Sequence, residues 1–234
     1  MLLQTVNDSA VLVDSSRPYR WVDAFGPDVK KYIPQAGVAT ASSELVGWTA
    51  TETGTNTTIN SVSANSLLTL TTGATDFNGY SSQLLGSPFA AVSGQPFYFG
   101  GKFTLSEATQ SDFLFGLCGV DTTLTAASSA HAVAVSAGGF FFSKIDASTD
   151  IYFNIYSTST AVATMAVGTM TTGAHEYECY FDGESVNVYF DGEFIGKTNT
   201  SIPTAVATPS ISVRNGASAA VTLECGWMSF IQVN

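Results

Sequence analysis

Residues 177–196, YECYFDGESVNVYFDGEFIG, limit what this chain can fold into more than any other stretch of it. Side chains alternate with a period of two. That puts Tyr177, Cys179 and Phe181 on one side of a strand, and Glu176, Glu178 and Tyr180 on the other. Asp182-Gly183 and Asp191-Gly192 interrupt the alternation, and Asp-Gly is a strong short-range turn signal. Between them Val186, Val188 and Phe190 alternate with Asn187, Tyr189 and Asp191. After the second turn Phe194-Ile195-Gly196 begins another strand. The block therefore predicts a three-stranded antiparallel meander, with Val186, Val188 and Phe190 toward a core and Asn187 and Tyr189 on the opposite face.

The rest of the chain supplies more strands of the same kind. Residues 66–71, 96–105, 112–120, 151–157, 161–167, 210–214 and 221–233 each carry a short apolar or alternating run. Residues 132–136 and 140–145 flank Gly138-Gly139 and predict a hairpin there. Composition points the same way. Thr (29) and Ser (27) are abundant, Gly numbers 21, and only 12% of residues are charged. Thr favours strands, Ser and Gly favour turns, and the surface must be built from hydroxyls more than from charges. A chain of 234 residues can bury about 70% of its unfolded surface without disulfides or metal. About a dozen short strands without helices predict an all-β, two-sheet antiparallel sandwich occupying residues 41–234.

Charge separates residues 1–40 from that body. They hold Arg17, Arg20, Lys30 and Lys31 against Asp8, Asp14, Asp23 and Asp28, so they are neutral, and the whole net charge of -11 lies in residues 41–234. Pro18, Pro27 and Pro34 punctuate the segment and no clean period runs through it. It reads as an extended N-terminal arm with one short turn of helix near residues 28–31. Arg17, Tyr19, Arg20, Trp21 and Phe25 are its candidate docking residues, because aromatic and Arg side chains are the usual anchors of an interface. The acidic balance argues against nucleic acid and against an anionic membrane surface as partners. The mean hydropathy is +0.21, yet no run reaches the ~18 apolar residues of a membrane helix. A surface so poor in charge suits a member of an assembly, including a homo-oligomer.

Cys118, Cys179 and Cys225 are odd in number, widely spaced and set in apolar strand contexts, which predicts buried free thiols rather than a disulfide framework or a zinc motif. The N-terminal residues lack the basic and continuous apolar regions of a signal peptide, so the expectation is synthesis in a reducing cytoplasm. Asn-x-Ser/Thr triplets at Asn7, Asn56 and Asn199 are chance in a chain so rich in Ser and Thr.

The meander block resembles the signature of laminin-G-like, concanavalin A-like jelly rolls, in which a strand ending in Phe/Tyr-Asp-Gly is followed by V-x-V-Y-x-D-G. The final GWMSFIQV resembles the last strand of that fold. FLFGLCGVDTTL together with SAGGFFFSKIDASTDIYFNI resembles tailed-phage virion proteins built on this jelly roll. The resemblance covers about residues 66–234. It implies a structural capsid decoration or cement protein that binds the outer surface of the head, with the major capsid protein as partner and the virion as its location. The fold also hosts lectins and glycanases, so a carbohydrate-binding module is the alternative.

The residues offer little to catalysis. Glycanases on this fold pair carboxylates in a Glu-x-Asp-x-x-Glu pattern, and this chain has Glu-Tyr-Glu-Cys-Tyr-Phe-Asp at 176–182. Neither His131 nor His175 sits in a nucleophile motif. Asp146, Asp150, Asp182 and Asp191 are accounted for by turns. The expectation is a non-enzymatic protein without metal or cofactor. Glu176, Glu178, Tyr180, Asn187 and Tyr189 share one strand face and form the candidate glycan surface, with a solvated sheet face as the plainer expectation.

Overall fold

The computed structural model describes the backbone of residues 2–6, 9–13, 21–25, 29–32, 48–55, 58–59, 68–126 and 132–233, and the side chains of 48–55, 68–126 and 132–233. All of its regular elements are strands. Four precede residue 40: β1 (Leu2–Val6), β2 (Ser9–Val13), β3 (Trp21–Phe25) and β4 (Val29–Tyr32). Five short ones follow: β5 (Trp48–Thr53), β6 (Thr58–Ile59), β7 (Leu68–Thr71), β8 (Gly79–Leu84) and β9 (Phe89–Ala90). The longer strands are β10 (Phe97–Leu105), β11 (Ser111–Cys118), β12 (Gly139–Lys144), β13 (Asp150–Ser157) and β14 (Thr160–Thr169). The last five are β15 (Ala174–Phe181), β16 (Val186–Phe190), β17 (Glu193–Thr198), β18 (Val206–Asn215) and β19 (Thr222–Val233).

Two eight-stranded sheets form the sandwich. The first runs β17-β16-β15-β10-β19-β7-β6, with β4 also on β19; the second runs β14-β13-β12-β11-β18-β8-β5, with β9 also on β18. Every ladder is antiparallel. This is a concanavalin A-like jelly-roll sandwich, the class the sequence predicts. The meander is in the expected register, with Cys179 opposite Val188 and Phe181 opposite Val186. Asp191 and Gly192 have φ of 48° and 82°, the left-handed pair of a two-residue hairpin turn whose twist matches the strands it joins. β19 lies between β10 and β7, so the C-terminal strand is central to its sheet.

Between the sheets lies an aromatic core. Phe97, Phe99 and Phe103 of β10 meet Phe113 and Phe115 of β11 and Phe140 and Phe142 of β12. The rings make edge and tilted contacts, 4.6 Å for Phe103–Phe115 and 5.7 Å for Phe99–Phe115, each adding about 0.5–1.5 kcal/mol beyond area burial. Cys179 and Cys225 lie in the same core, and all three thiols are buried and unpaired. β11 reads as a continuous apolar run because both of its faces are covered. Residues 119–126 and 132–138 lie over the outer face of the second sheet, and Leu124 and Val135 pack there on Leu114, Cys118 and Phe141.

Two expectations need correction. The helical turn near residues 28–31 is absent, because Val29–Tyr32 is a strand paired with Phe230–Val233; alternate side chains on a sheet edge satisfy that backbone better than one isolated helical turn. The hairpin at Gly138-Gly139 is also absent. Residues 132–136 make only an isolated bridge, Val133 to Thr125, while β12 pairs with β11 and β13. Gly138 and Gly139 instead end the crossing segment, which returns its chain through Gly119 N–H to Gly138 O. Within residues 1–40, β1, β2 and β3 pair as an antiparallel sheet of extended strands.

One end of the interior holds charge. Lys144 is fully buried and its ammonium donates to the carbonyls of Thr109 and Ser111 and to the Ser111 hydroxyl. Burial pulls this lysine down to about 8, against the opposing pull of Asp112, Asp146 and Glu107. The unfolded chain, with an ordinary lysine pKa near ~10.4, therefore binds a proton between about pH 8 and 10.4 that the folded chain has released. Stability contributed at this site rises with pH across that window. Compared with Lys144→Met, the wild type should gain about 2–3 kcal/mol between pH 8 and 10.4 in denaturant titrations. Parallel stability curves for the two proteins would contradict this assignment.

Candidate functional site

The outer face of the first sheet is the candidate. Its order follows from register: Tyr98 lies opposite Tyr180 and Ile231, Gly100 opposite Glu178 and Ser229, and Lys102 opposite Glu176 and Trp227. One strand further out, Tyr180 is opposite Asn187 and Glu178 opposite Tyr189, and then Asn187 meets Lys197 and Tyr189 meets Phe194. Five aromatic side chains, Trp227, Tyr98, Tyr180, Tyr189 and Phe194, thus lie across five neighbouring strands among carboxylates, an amide and two ammonium groups.

The five residues named from the sequence do share this face, though they differ in exposure. Tyr180, Tyr189 and Glu176 are half-buried. Glu178 is only 2% exposed and Asn187 4%, so the expectation of a solvated strand face is wrong at these two positions. The reason is local at Glu178: the Tyr98 hydroxyl donates to its Oε1 at 2.8 Å. Gly100 permits this. A Cβ there would lie 2.2 Å from that hydroxyl oxygen and 3.2 Å from the Trp227 ring, so the bare glycine lets Tyr98 lean along its own strand onto Glu178. Asn187 donates from Nδ2 to Tyr180 O at 3.4 Å.

Toward the sheet edge the face opens. Phe194 is 56% exposed and its ring lies 5.5 Å from that of Tyr189, tilted by 59°. Lys197 reaches Asp182 at 3.3 Å, and Lys102 reaches Glu176 at 3.6 Å. Partial burial pushes the Asp182 carboxyl up, but the N–H groups of Ser185 and Glu184 and the Lys197 ammonium together hold it below its ordinary value. Sequence reasoning missed Tyr98, Lys102, Trp227, Phe194 and Lys197. Phe194 was within its reach, since a two-residue turn at Asp191-Gly192 already sets Phe194 opposite Tyr189. The others depend on β10 and β19 lying next to β15, a long-range pairing that no local signal carries.

His175 is also part of a constellation the sequence did not reveal. Its Nδ1 lies 2.8 Å from Asp191 Oδ2, and its Nε2 lies 2.8 Å from Thr171 Oγ1. Nε2 also accepts the Thr171 backbone N–H at 3.1 Å, which fixes the proton on Nδ1, facing Asp191. Asp191 Oδ1 accepts the Glu176 N–H, and the imidazole stacks on Phe190. With its in-plane lone pair held by a backbone N–H, the ring clasps the β14–β15 turn to the β16–β17 turn. His131 lies outside the described residues. So do Arg17, Tyr19 and Arg20, while Trp21 and Phe25 lie in β3 with their side chains outside the description. Among the described residues no group of three or more His, Cys, Asp or Glu is placed to hold a metal ion.

No family model and no curated protein matches the chain. Solved structures do. The Emp47p carbohydrate recognition domain is similar over 87% of this chain and 96% of its own, with a TM-score of 0.59 at 13% identity. A β-glucanase of Bacillus licheniformis is similar over 86% and 97%, with a TM-score of 0.55 at 10% identity. A protein of unknown function from Shewanella oneidensis MR-1 is similar over 88% and 86%, with a TM-score of 0.55 at 11% identity. At these identities the likeness is one of fold: a concanavalin A-like jelly roll used by lectin domains and by glucanases. Nothing in it supports an origin in a phage virion.

Proposed function

We propose that this protein is a carbohydrate-binding module whose sugar site is the outer face of the first sheet at β15, β16 and β17. The carrying observation is the Tyr189–Phe194 pair toward the sheet edge, with Phe194 exposed, Tyr189 half-buried, and Tyr180, Glu176 and Lys197 on the same face. Sugar rings stack on aromatic faces through their C–H edges while their hydroxyls take hydrogen bonds from the polar side chains around them. The fold's use by a carbohydrate recognition domain supports the reading. The net charge of -11 opposes uronate or sulfated polymers, so the ligand class is neutral hexose chains.

Binding proceeds without cleavage in this account. Glu176 is bridged to Lys102 and Glu178 accepts from Tyr98, and the strand lacks the Glu-x-Asp-x-x-Glu arrangement of the fold's glycanases. The test is retention on immobilised neutral polysaccharides together with an assay for new reducing ends. Retention without hydrolysis is expected. Failure to bind any neutral polysaccharide would sink the proposal, and released reducing ends would overturn its non-catalytic part. The second reading, a head-decorating virion protein docked through residues 1–40, rests on the sequence resemblance alone. Co-sedimentation with capsids, with and without those residues, separates it from the first.

A further inference from the structure

Aromatic rings lie at two separate places on the outer face of the first sheet. Phe194 and Tyr189 mark one, on β17 and β16, and Trp227, half-buried on β19, marks the other. The strand order β17-β16-β15-β10-β19 puts four strand spacings between Phe194 and Trp227, about 19 Å.

Trp227 does not stand up from its strand. A Cβ on Gly100 of β10, the next strand, would lie 3.2 Å from its Cη2, so the indole reaches across the ladder and rests low over the bare glycine. A side chain at position 100 would lift it. Glycine weakens a strand because it packs nothing, and one in a strand interior often marks a place where something must approach closely. Lying along the sheet, an indole turns one flat face outward. Tyr98 is buried beside it and hydrogen-bonded to Glu178, so that ring supports the surface and does not form it.

The charges along the way are paired. Lys102 lies opposite both Trp227 and Glu176 and bridges Glu176 at 3.6 Å, while Lys197 of β17 bridges Asp182 at 3.3 Å. Paired charges leave little net field but still offer donors and acceptors, which suits neutral hydroxyls better than an ionised ligand.

We propose that Trp227 is a second aromatic platform of the same site, so that the ligand is a linear neutral hexose chain laid across the strands from β17 to β19. This rests on the sugar reading above and adds the length and direction of the ligand. A hexose unit with its linking oxygen spans about 5 Å on ordinary bond lengths, so about four to five units join one platform to the other. Two platforms on one chain act as linked sites, the second engaged at high effective concentration once the first is bound.

The test is titration of the full chain with neutral linear gluco- and manno-oligomers of two to six units. A six-unit chain offers five registers to a two-unit site, so up to about fivefold tighter binding needs no second platform. The wild type should exceed that, binding the hexamer at least about thirtyfold more tightly than the dimer. Trp227→Leu, which keeps an apolar cover over Gly100 but removes the flat ring, should weaken the hexamer at least about tenfold and leave the dimer unchanged. Phe194→Ala should weaken both. A hexamer no more than about fivefold tighter than the dimer, or one bound equally by Trp227→Leu, overturns the second platform and leaves the sugar reading standing. No binding of any oligomer by the folded wild type removes both. Should Trp227→Leu lower the melting temperature, the length dependence of the wild type decides alone.

Discussion

Val188→Asp should leave the protein unfolded or destabilised by at least about 4 kcal/mol, seen as loss of the cooperative melt in circular dichroism. Val188 is fully buried in the inter-sheet core on the middle strand of the meander, opposite Cys179 on one side and Gly196 on the other. A carboxylate there has apolar neighbours and no counter-ion within the cluster, and burying an unpaired charge costs several kcal/mol even after its pKa shifts. The neighbouring change Asn187→Asp is the control for register. Asn187 lies on the opposite face, yet it is 4% exposed and donates to Tyr180 O. The alternation alone makes that change nearly free, whereas its burial makes it cost about 1–2 kcal/mol. Equal effects of the two substitutions would show that the register of β16 is wrong.

The second large effect belongs to Asp112. It is fully buried on β11, accepts the Asp146 N–H at 2.8 Å, and lies opposite Arg214 on β18. Its charge opposes the desolvation of both Lys144 and Arg214. Arg214 is itself 1% exposed, with Nε donating to Thr125 Oγ1 and Nη1 to Phe77 O. Removing the carboxylate that acts on both buried cations takes away the charge opposing Arg214's desolvation and leaves Lys144 with Asp146 and Glu107 alone, so Asp112→Ala should cost about 3–5 kcal/mol in equilibrium unfolding. The loss should shrink above pH 8, where Lys144 gives up its proton. A loss below about 1 kcal/mol, or one that grows with pH, would mean that the charges are compensated elsewhere.

Legibility in the sequence followed the range of the interactions. The meander could be read because its turns are encoded by adjacent Asp-Gly pairs and its faces by period-two alternation. β5 and β8 escaped because WTATET and GYSSQL carry hydroxyls where a half-buried strand would carry valines; pairing with neighbours makes the strand, with Ser81 bonded to Ser212 across the ladder. The false hairpin at Gly138-Gly139 came from applying a two-residue turn rule to glycines that end a long crossing segment. Residues 29–32 looked helical because Lys30 and Lys31 follow an acid and a proline, while their strand is imposed by β19, about two hundred residues away. The candidate site was half legible for the same reason. Glu176, Glu178, Tyr180, Asn187 and Tyr189 come from one local block, whereas Tyr98, Lys102 and Trp227 join them only through the β15-β10-β19 order.

The central claim is that sugar binds where Tyr189 and Phe194 face outward, and isothermal titration with neutral hexose oligomers tests it most directly. The wild type should bind with a saturable heat. Tyr189→Ala/Phe194→Ala should lose about 2–3 kcal/mol, an affinity about thirty- to one-hundred-and-fifty-fold weaker, while its melting temperature stays within a few degrees because Phe194 packs little. Equal affinity in the double variant, or no heat from any neutral oligomer with the folded wild type, would contradict the account.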